Sequence, residues 1–230
     1  MRNLHTRTVD SWAPHRKFIS SSEEDLVVLN YFKGKPNGYL LDIAAADGVT
    51  GSNSFKLINE FDWSGLLVEP CKRHHQNLHT LYDDVDDVDV YYGAVSGEEK
   101  EVTFYELPAQ FVCESYTAKR SHGAPENCPF PIINTYSVPA ENINTLLETY
   151  NVPTKIDFFS LDNEGAEQEI LNYIDMTKYD VEMWCIELDN SSIILYGEDV
   201  YDDFFKSNGY ERLNTQGFHV HEYNQFWVKK

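Results

Sequence analysis

Two segments, roughly a hundred residues apart, constrain this chain more than anything else in it. The first runs Tyr39-Leu40-Leu41-Asp42-Ile43 into Ala44-Ala45-Ala46-Asp47-Gly48, then Ser52-Asn53-Ser54 and Gly65-Leu66-Leu67-Val68-Glu69-Pro70. The second runs Ile156-Asp157-Phe158-Phe159-Ser160-Leu161-Asp162 into Asn163-Glu164-Gly165-Ala166-Glu167. Each is an apolar run of strand length that ends in an acid and turns, at small residues, into a helical pattern. Open α/β sheets bind ligands outside the carboxyl ends of their strands. Acidic strand ends at Asp42, Glu69 and Asp162 would therefore meet in one crevice, suited to a ligand with hydroxyls and a positive charge.

The rest of the chain keeps that rhythm. Ser21-Ser22 before Glu23-Glu24-Asp25 reads as a capping box opening a helix that stops near Gly34 and Pro36. Further helices are predicted over about 53–61, 72–81, 142–150, 165–174 and 200–205. Strands are predicted at 65–68, 88–92, 102–105, 156–161 and 181–188, with a closing antiparallel pair at 210–213 and 223–228. Alternating strands and helices predict a mainly parallel sheet covered on both faces. Residues 1–22 read as an irregular arm, and residues 23–230 as one domain, as the 230-residue length allows. Residues 106–135, with four prolines, break the pattern and read as a long inserted loop.

Composition excludes some partners. With 38 acidic against 18 basic residues the formal charge is −20, which repels phosphate backbones and argues against a nucleic acid substrate. The run from Asp83 to Asp89 lacks the glycine and terminal glutamate of a calcium loop and reads as a solvated surface. Of four cysteines none forms a C-x-x-C pair, and Cys185, in an apolar run, reads as a buried free thiol. The N-terminus has no apolar leader and no stretch is long enough to span a bilayer, so a soluble cytoplasmic protein is the expectation.

The turn after the first strand selects among nucleotide ligands. Ala44, Ala45, Ala46 and Gly48 let backbone approach a ligand closely. Asp42 and Asp47 there would repel a pyrophosphate, and the G-x-G-x-x-G of dinucleotide sites is absent. S-adenosylmethionine, with a sulfonium and an ammonium, would be favoured instead. Glu69, ending the second strand, can accept both ribose hydroxyls.

These motifs resemble those of the FkbM-type S-adenosylmethionine-dependent methyltransferases. Four occur in the family's order: Asp42 to Gly48, Ser52-Asn53-Ser54, Trp63-Ser64-Gly65-Leu66-Leu67-Val68-Glu69-Pro70, and Phe159 to Glu167. Glu24 to Phe32 upstream is also typical, so the resemblance covers about 24–230. Ala44 replaces the family's usual first glycine, and Ala46 stands where a polar residue is common. The resemblance implies a Rossmann-like class I fold with a mainly parallel seven-stranded sheet and an antiparallel closing strand. It implies methyl transfer from S-adenosylmethionine to a hydroxyl of a sugar, glycan or natural product, leaving S-adenosylhomocysteine. Asp42, Ala44, Ala45, Asp47, Gly48, Ser52, Asn53, Glu69 and Pro70 would hold the donor, with Gly93, Ala94 and Val95 near the adenine.

On the acceptor side Asp162 and Glu164 stand as candidates to take up the hydroxyl proton, though Glu164 would equally cap the following helix. Glu167, a turn on, reads as a solvated helix face. Glu187 and Asp189 end the fifth main strand and would line the same mouth or its rim. Lys119, Arg120 and His122 in the long loop would close over an anionic acceptor or lie on a surface loop. His219 and His221, two apart on an expected strand, would join Asp162 around a divalent metal or form an exposed pair; no metal ligands are assigned. His74 and His75 are expected at the surface. Two rivals stay open: a nucleotide-dependent oxidoreductase, and a non-catalytic binding protein on the same fold.

Overall fold

Strands Tyr39–Ile43 (β1), Ser64–Glu69 (β2) and Val88–Tyr92 (β3) lie side by side in parallel, in chain order outward from β1. The computed structural model describes residues 20–107, the backbone of 115–117, and residues 131–163, 165–188 and 197–230. After β3 the chain forms Ala94–Ser96 (β4), Lys100–Glu106 (β5), Ser115–Thr117 (β6) and Asn134–Asn142 (β7). It then returns to the other side of β1 with Lys155–Leu161 (β8) and Asp180–Glu187 (β9), both parallel. Tyr210–Arg212 (β10) and Asn224–Lys229 (β11) complete the sheet, in the order β10-β11-β9-β8-β1-β2-β3, with β11 alone reversed. The predicted class, sheet and closing strand are all present.

Near-continuous apolar runs mark strands buried on both faces. Alternation then divides each strand between two cores. Leu41, Ile43, Phe159, Leu161, Trp184 and Ile186 face one side. There they meet Ile143, Leu146 and Leu147 of helix Ile143–Thr149 (α4), Ile170 and Leu171 of Glu167–Tyr173 (α5), and Phe205 of Asp202–Ser207 (α6). Leu40, Leu67, Phe158, Met183 and Cys185 face the other. Their partners are Val27 and Val28 of Glu24–Tyr31 (α1), Leu57 and Ile58 of Phe55–Phe61 (α2), and Leu78 and Leu81 of Lys72–Tyr82 (α3). The result is three layers, helix on sheet on helix. A side chain at Gly65 would run into the Leu40 carbonyl and side chain, so this glycine lets β2 close on β1.

Three expectations change. The last two residues of the expected loop, Asn134 and Thr135, open β7, which the polar sequence NTYSVPAEN conceals. This strand joins a second sheet, β4-β7-β5-β6, over a small core of Cys71, Ala94, Phe104, Val138 and Ala140. Pro139 fits because β4 covers only Ala140 to Asn142, beyond it. The expected cap at Ser21 is not formed: the N-cap of α1 is Glu23, without a side-chain cap bond, and it is Ser20 Oγ that accepts from Asp25 N–H and donates to Asp25 Oδ1 at 2.9 Å. His219 and His221 lie outside any strand, and their backbone N–H groups donate to Glu23 and Glu24. The Asp83–Asp87 turn is exposed as expected, apart from half-buried Val85. The N-terminal arm up to residue 19 and most of the inserted loop lie outside the described residues.

Candidate functional site

The chain leaves β1 for β2 and β3 on one side and returns through β8 and β9 on the other. The carboxyl ends of β1 and β8 therefore frame the crevice at which open α/β sheets bind ligands. A cavity of about 130 Å³ lies there, lined by Ser21, Asp42, Ala44, Ala45, Ala46, Thr50, Gly51, Ser52, Asn53, Glu69, Cys71, His74, Ser160 and Asp162. Its described lining holds three carboxylates and neither lysine nor arginine.

Asp42 is 4% exposed. Burial pushes its carboxyl up to about 6, and the neighbouring Asp162 charge adds to that; hydrogen bonds to Ser54 and Ser160 pull the other way. Asn53 Nδ2 donates to Ser160 Oγ at 3.1 Å, tying the turn after β1 to β8. Glu69, also 4% exposed, closes β2. One of its oxygens accepts the Ala46 N–H at 2.8 Å and the other the Cys71 N–H at 2.6 Å. This one carboxylate thus pins the alanine turn to the start of α3.

That turn bends through left-handed backbone at Ala44 (φ 66°) and Ala46 (φ 52°), conformations in which alanine is strained and glycine is not. Asp47 does not line the cavity. Its carboxylate accepts from Val49 N–H, Thr50 N–H and the Thr50 hydroxyl, organising its own loop. Gly48 (φ 77°) packs where a side chain would strike Leu78. Pro70, Gly93, Ala94, Val95 and Glu187 are also absent from the lining. Ala94 and Val95 are buried in β4 of the second sheet, and Glu187 ends β9. Glu164, Lys119, Arg120, His122 and Asp189 lie outside the described residues.

Sequence reasoning missed four features. His74, half-buried rather than a bystander at the surface, lines the cavity beside Cys71. Ser21 reaches it because Ser20 bridges to Gly51. Ser160 points to Asp42 from the neighbouring strand, as the β1–β8 register Asp42↔Ser160 requires. Glu167, expected in solvent, is 2% exposed. Its Oε1 turns back to accept Asn163 N–H at 2.7 Å and Gly165 N–H at 3.2 Å, holding the turn that follows Asp162. Burial, with the Asp162 charge adding, pushes Glu167 up to about 7 despite those bonds. The N-x-x-x-E spacing from Asn163 to Glu167 does not mark this contact, since only the folded turn brings residue 163 back to the start of α5.

The strand order with one reversed strand, and an acidic cavity at the switch point, define a class I methyltransferase fold. The chain belongs to the FkbM methyltransferase family: the family profile described as Methyltransferase FkbM domain matches residues 42–212. An FkbM methyltransferase from Methylobacillus flagellatus KT is similar over 84% of this chain at 14% identity, with a TM-score of 0.50; the chain spans 43% of that protein's length. A precorrin-6y C5,15-methyltransferase from Geobacter metallireducens GS-15 aligns over 96% of this chain and 95% of its own, at 14% identity and a TM-score of 0.48. At such identities the likeness is one of fold. No curated protein matches the chain at a significant level. Among the described residues no helix is long and apolar enough to cross a membrane.

Proposed function

We propose that this chain is an S-adenosylmethionine-dependent methyltransferase whose acceptor is a hydroxyl, with a sugar or glycan as the leading acceptor class. The observation that carries the reading is Glu69: a buried carboxylate at the end of β2, held by two backbone N–H groups on the wall of the switch-point cavity. Two bound donors do not exhaust a carboxylate's acceptor capacity, so a ribose diol fits its chemistry. The residues suit the donor by lining rather than by volume. About 130 Å³ is less than the ~300–1,000 Å³ of typical ligand pockets, but three carboxylates, with no lysine or arginine among the described lining residues, suit a cation.

When bound, S-adenosylmethionine supplies an electrophilic methyl group on a sulfonium. Asp42 and Glu69 provide negative charge and hydroxyl acceptors, and Ala44 to Ala46 bring backbone close. Asp162 lines the same cavity and is our candidate to orient the acceptor hydroxyl and receive its proton. Glu167 would keep the Asp162 turn in place.

Calorimetric titration of S-adenosylhomocysteine tests the donor site, with NAD as control. Saturable binding is expected for the wild type, weakened at least ~10-fold in Glu69→Gln, since charge-assisted hydrogen bonds are the strong ones. No binding by folded wild type, or binding of NAD instead, sinks the proposal. An acceptor panel with radiolabelled donor then tests the hydroxyl class.

A further inference from the structure

Glu69, Cys71 and His74 bring three different metal-ligating groups together on the cavity wall. A carboxylate oxygen, the Cys71 sulfur and an imidazole nitrogen all lie within 4.8 Å of one another. Glu69 and Cys71 are buried and His74 is half-buried. We propose that these residues form a binding site for a zinc-class divalent ion that shares its glutamate with the donor pocket, so that metal and donor compete. The competition rests on the donor reading above; the metal site does not.

The donor set decides the class of ion. One thiolate, one imidazole and one carboxylate suit zinc and its soft neighbours, while magnesium and calcium prefer all-oxygen shells. Zinc–ligand bonds of about 2.0–2.3 Å place tetrahedral neighbours roughly 3.5 Å apart, so atoms already within 4.8 Å of one another need to draw in by at most ~1.3 Å. Three protein ligands leave a fourth position, and the cavity that all three line provides both that position and a path of entry.

The supporting shell is also present. Glu69 is oriented by Ala46 N–H and Cys71 N–H. Cys71 is held in extended backbone at the N-cap of the 11-residue α3, which fixes where its side chain starts. Bonds such as those to Glu69 fix ligand orientation. Binding forms an S–metal bond, breaks the S–H bond and releases the thiol proton to solvent. Glu69 cannot coordinate the ion and accept a ribose diol in the same geometry, hence the competition.

The test uses the full chain, freed of metal by chelation. Titrated Co²⁺ reports the site directly: a sulfur-to-cobalt charge-transfer band in the near ultraviolet is expected in the wild type, absent in Cys71→Ser and weakened in His74→Ala. Zn²⁺ should displace the cobalt, and Mg²⁺ in large excess should not. A band that persists in Cys71→Ser, or no band at all, overturns the site. Next, the Kd for S-adenosylhomocysteine is measured with and without Zn²⁺ in each protein. An increase of at least ~10-fold in the wild type, and less than ~2-fold in Cys71→Ser relative to its own zinc-free value, supports competition. Equal Kd values with and without zinc in the wild type overturn the shared glutamate. A cobalt band without any S-adenosylhomocysteine binding would uphold the metal site while refuting the donor reading.

Discussion

Asp42 and Glu167 are buried acids whose folded-state affinity for protons exceeds that of the open chain, and stability follows from that difference. For both groups the folded pKa is raised, to about 6 and about 7. Their stabilising contribution is therefore fully present below pH 4 and lost as pH rises through 6 to 7. At about 1.4 kcal/mol per unit, each is worth on the order of 3 kcal/mol across that window. Urea unfolding between pH 4.5 and 8 should show wild-type stability falling more steeply than that of Asp42→Asn or Glu167→Gln. Parallel slopes would refute the buried-acid account. In the same turn, Ala44 sits at φ 66°, where glycine is unstrained. Ala44→Gly should raise stability by about 0.5–1 kcal/mol, the relief of left-handed strain less the entropy of a glycine in the open chain. A lower urea midpoint would mean that the methyl group packs usefully.

Among the elements, α1 shows how a local signal acquires a distant partner. Glu24 is wholly buried. One of its oxygens accepts Ser22 N–H, and the other accepts His221 N–H and Asn224 Nδ2 near the start of β11. One side chain thus anchors the first helix to the closing strand. Glu24→Ala would leave three part-buried donors without their acceptor, each at the low end of the about 1–3 kcal/mol that an unsatisfied group costs. A loss of at least ~3 kcal/mol is expected in denaturant unfolding; a loss below ~1 kcal/mol would show that water replaces the carboxylate. The helix itself was readable from Ser, Glu and Asp before an apolar run. That Glu24 faces inward was not, because two of its three partners, His221 and Asn224, lie almost two hundred residues away.

On the scale of the whole molecule, a formal charge of −20 repels itself in the folded state. Salt screens such repulsion, with a Debye length of about 10 Å at 0.1 M. Thermal unfolding at pH 7.5 should shift upward by several degrees between about 0.01 and 0.3 M NaCl. A downward shift would mean that surface pairs such as Lys35–Asp157 and Lys178–Glu148 outweigh the net charge. The same excess of acid extends into the cavity, whose described lining carries no lysine or arginine, and both the proposed donor and the proposed metal ion are cationic there.

The sequence by itself determined the alternation of strands and helices, the parallel sheet with its closing strand, and the acids at the ends of β1, β2 and β8. These follow from periodicity and from residues close together in the chain, which the sequence displays directly. Only the tertiary structure decided which side chains share the cavity. Ser160 meets Asp42 through strand register, Ser21 arrives with the Ser20–Gly51 bridge, and Glu69 holds Ala46 and Cys71 together. It also turned Glu167 from an apparent solvent face into a buried anchor, and found β7 in a polar stretch containing a proline. Burial depends on neighbours distant along the chain, and even a short-range bond such as Glu167 to Asn163 depends on the turn the fold imposes, so the spacing of residues within one segment does not display either.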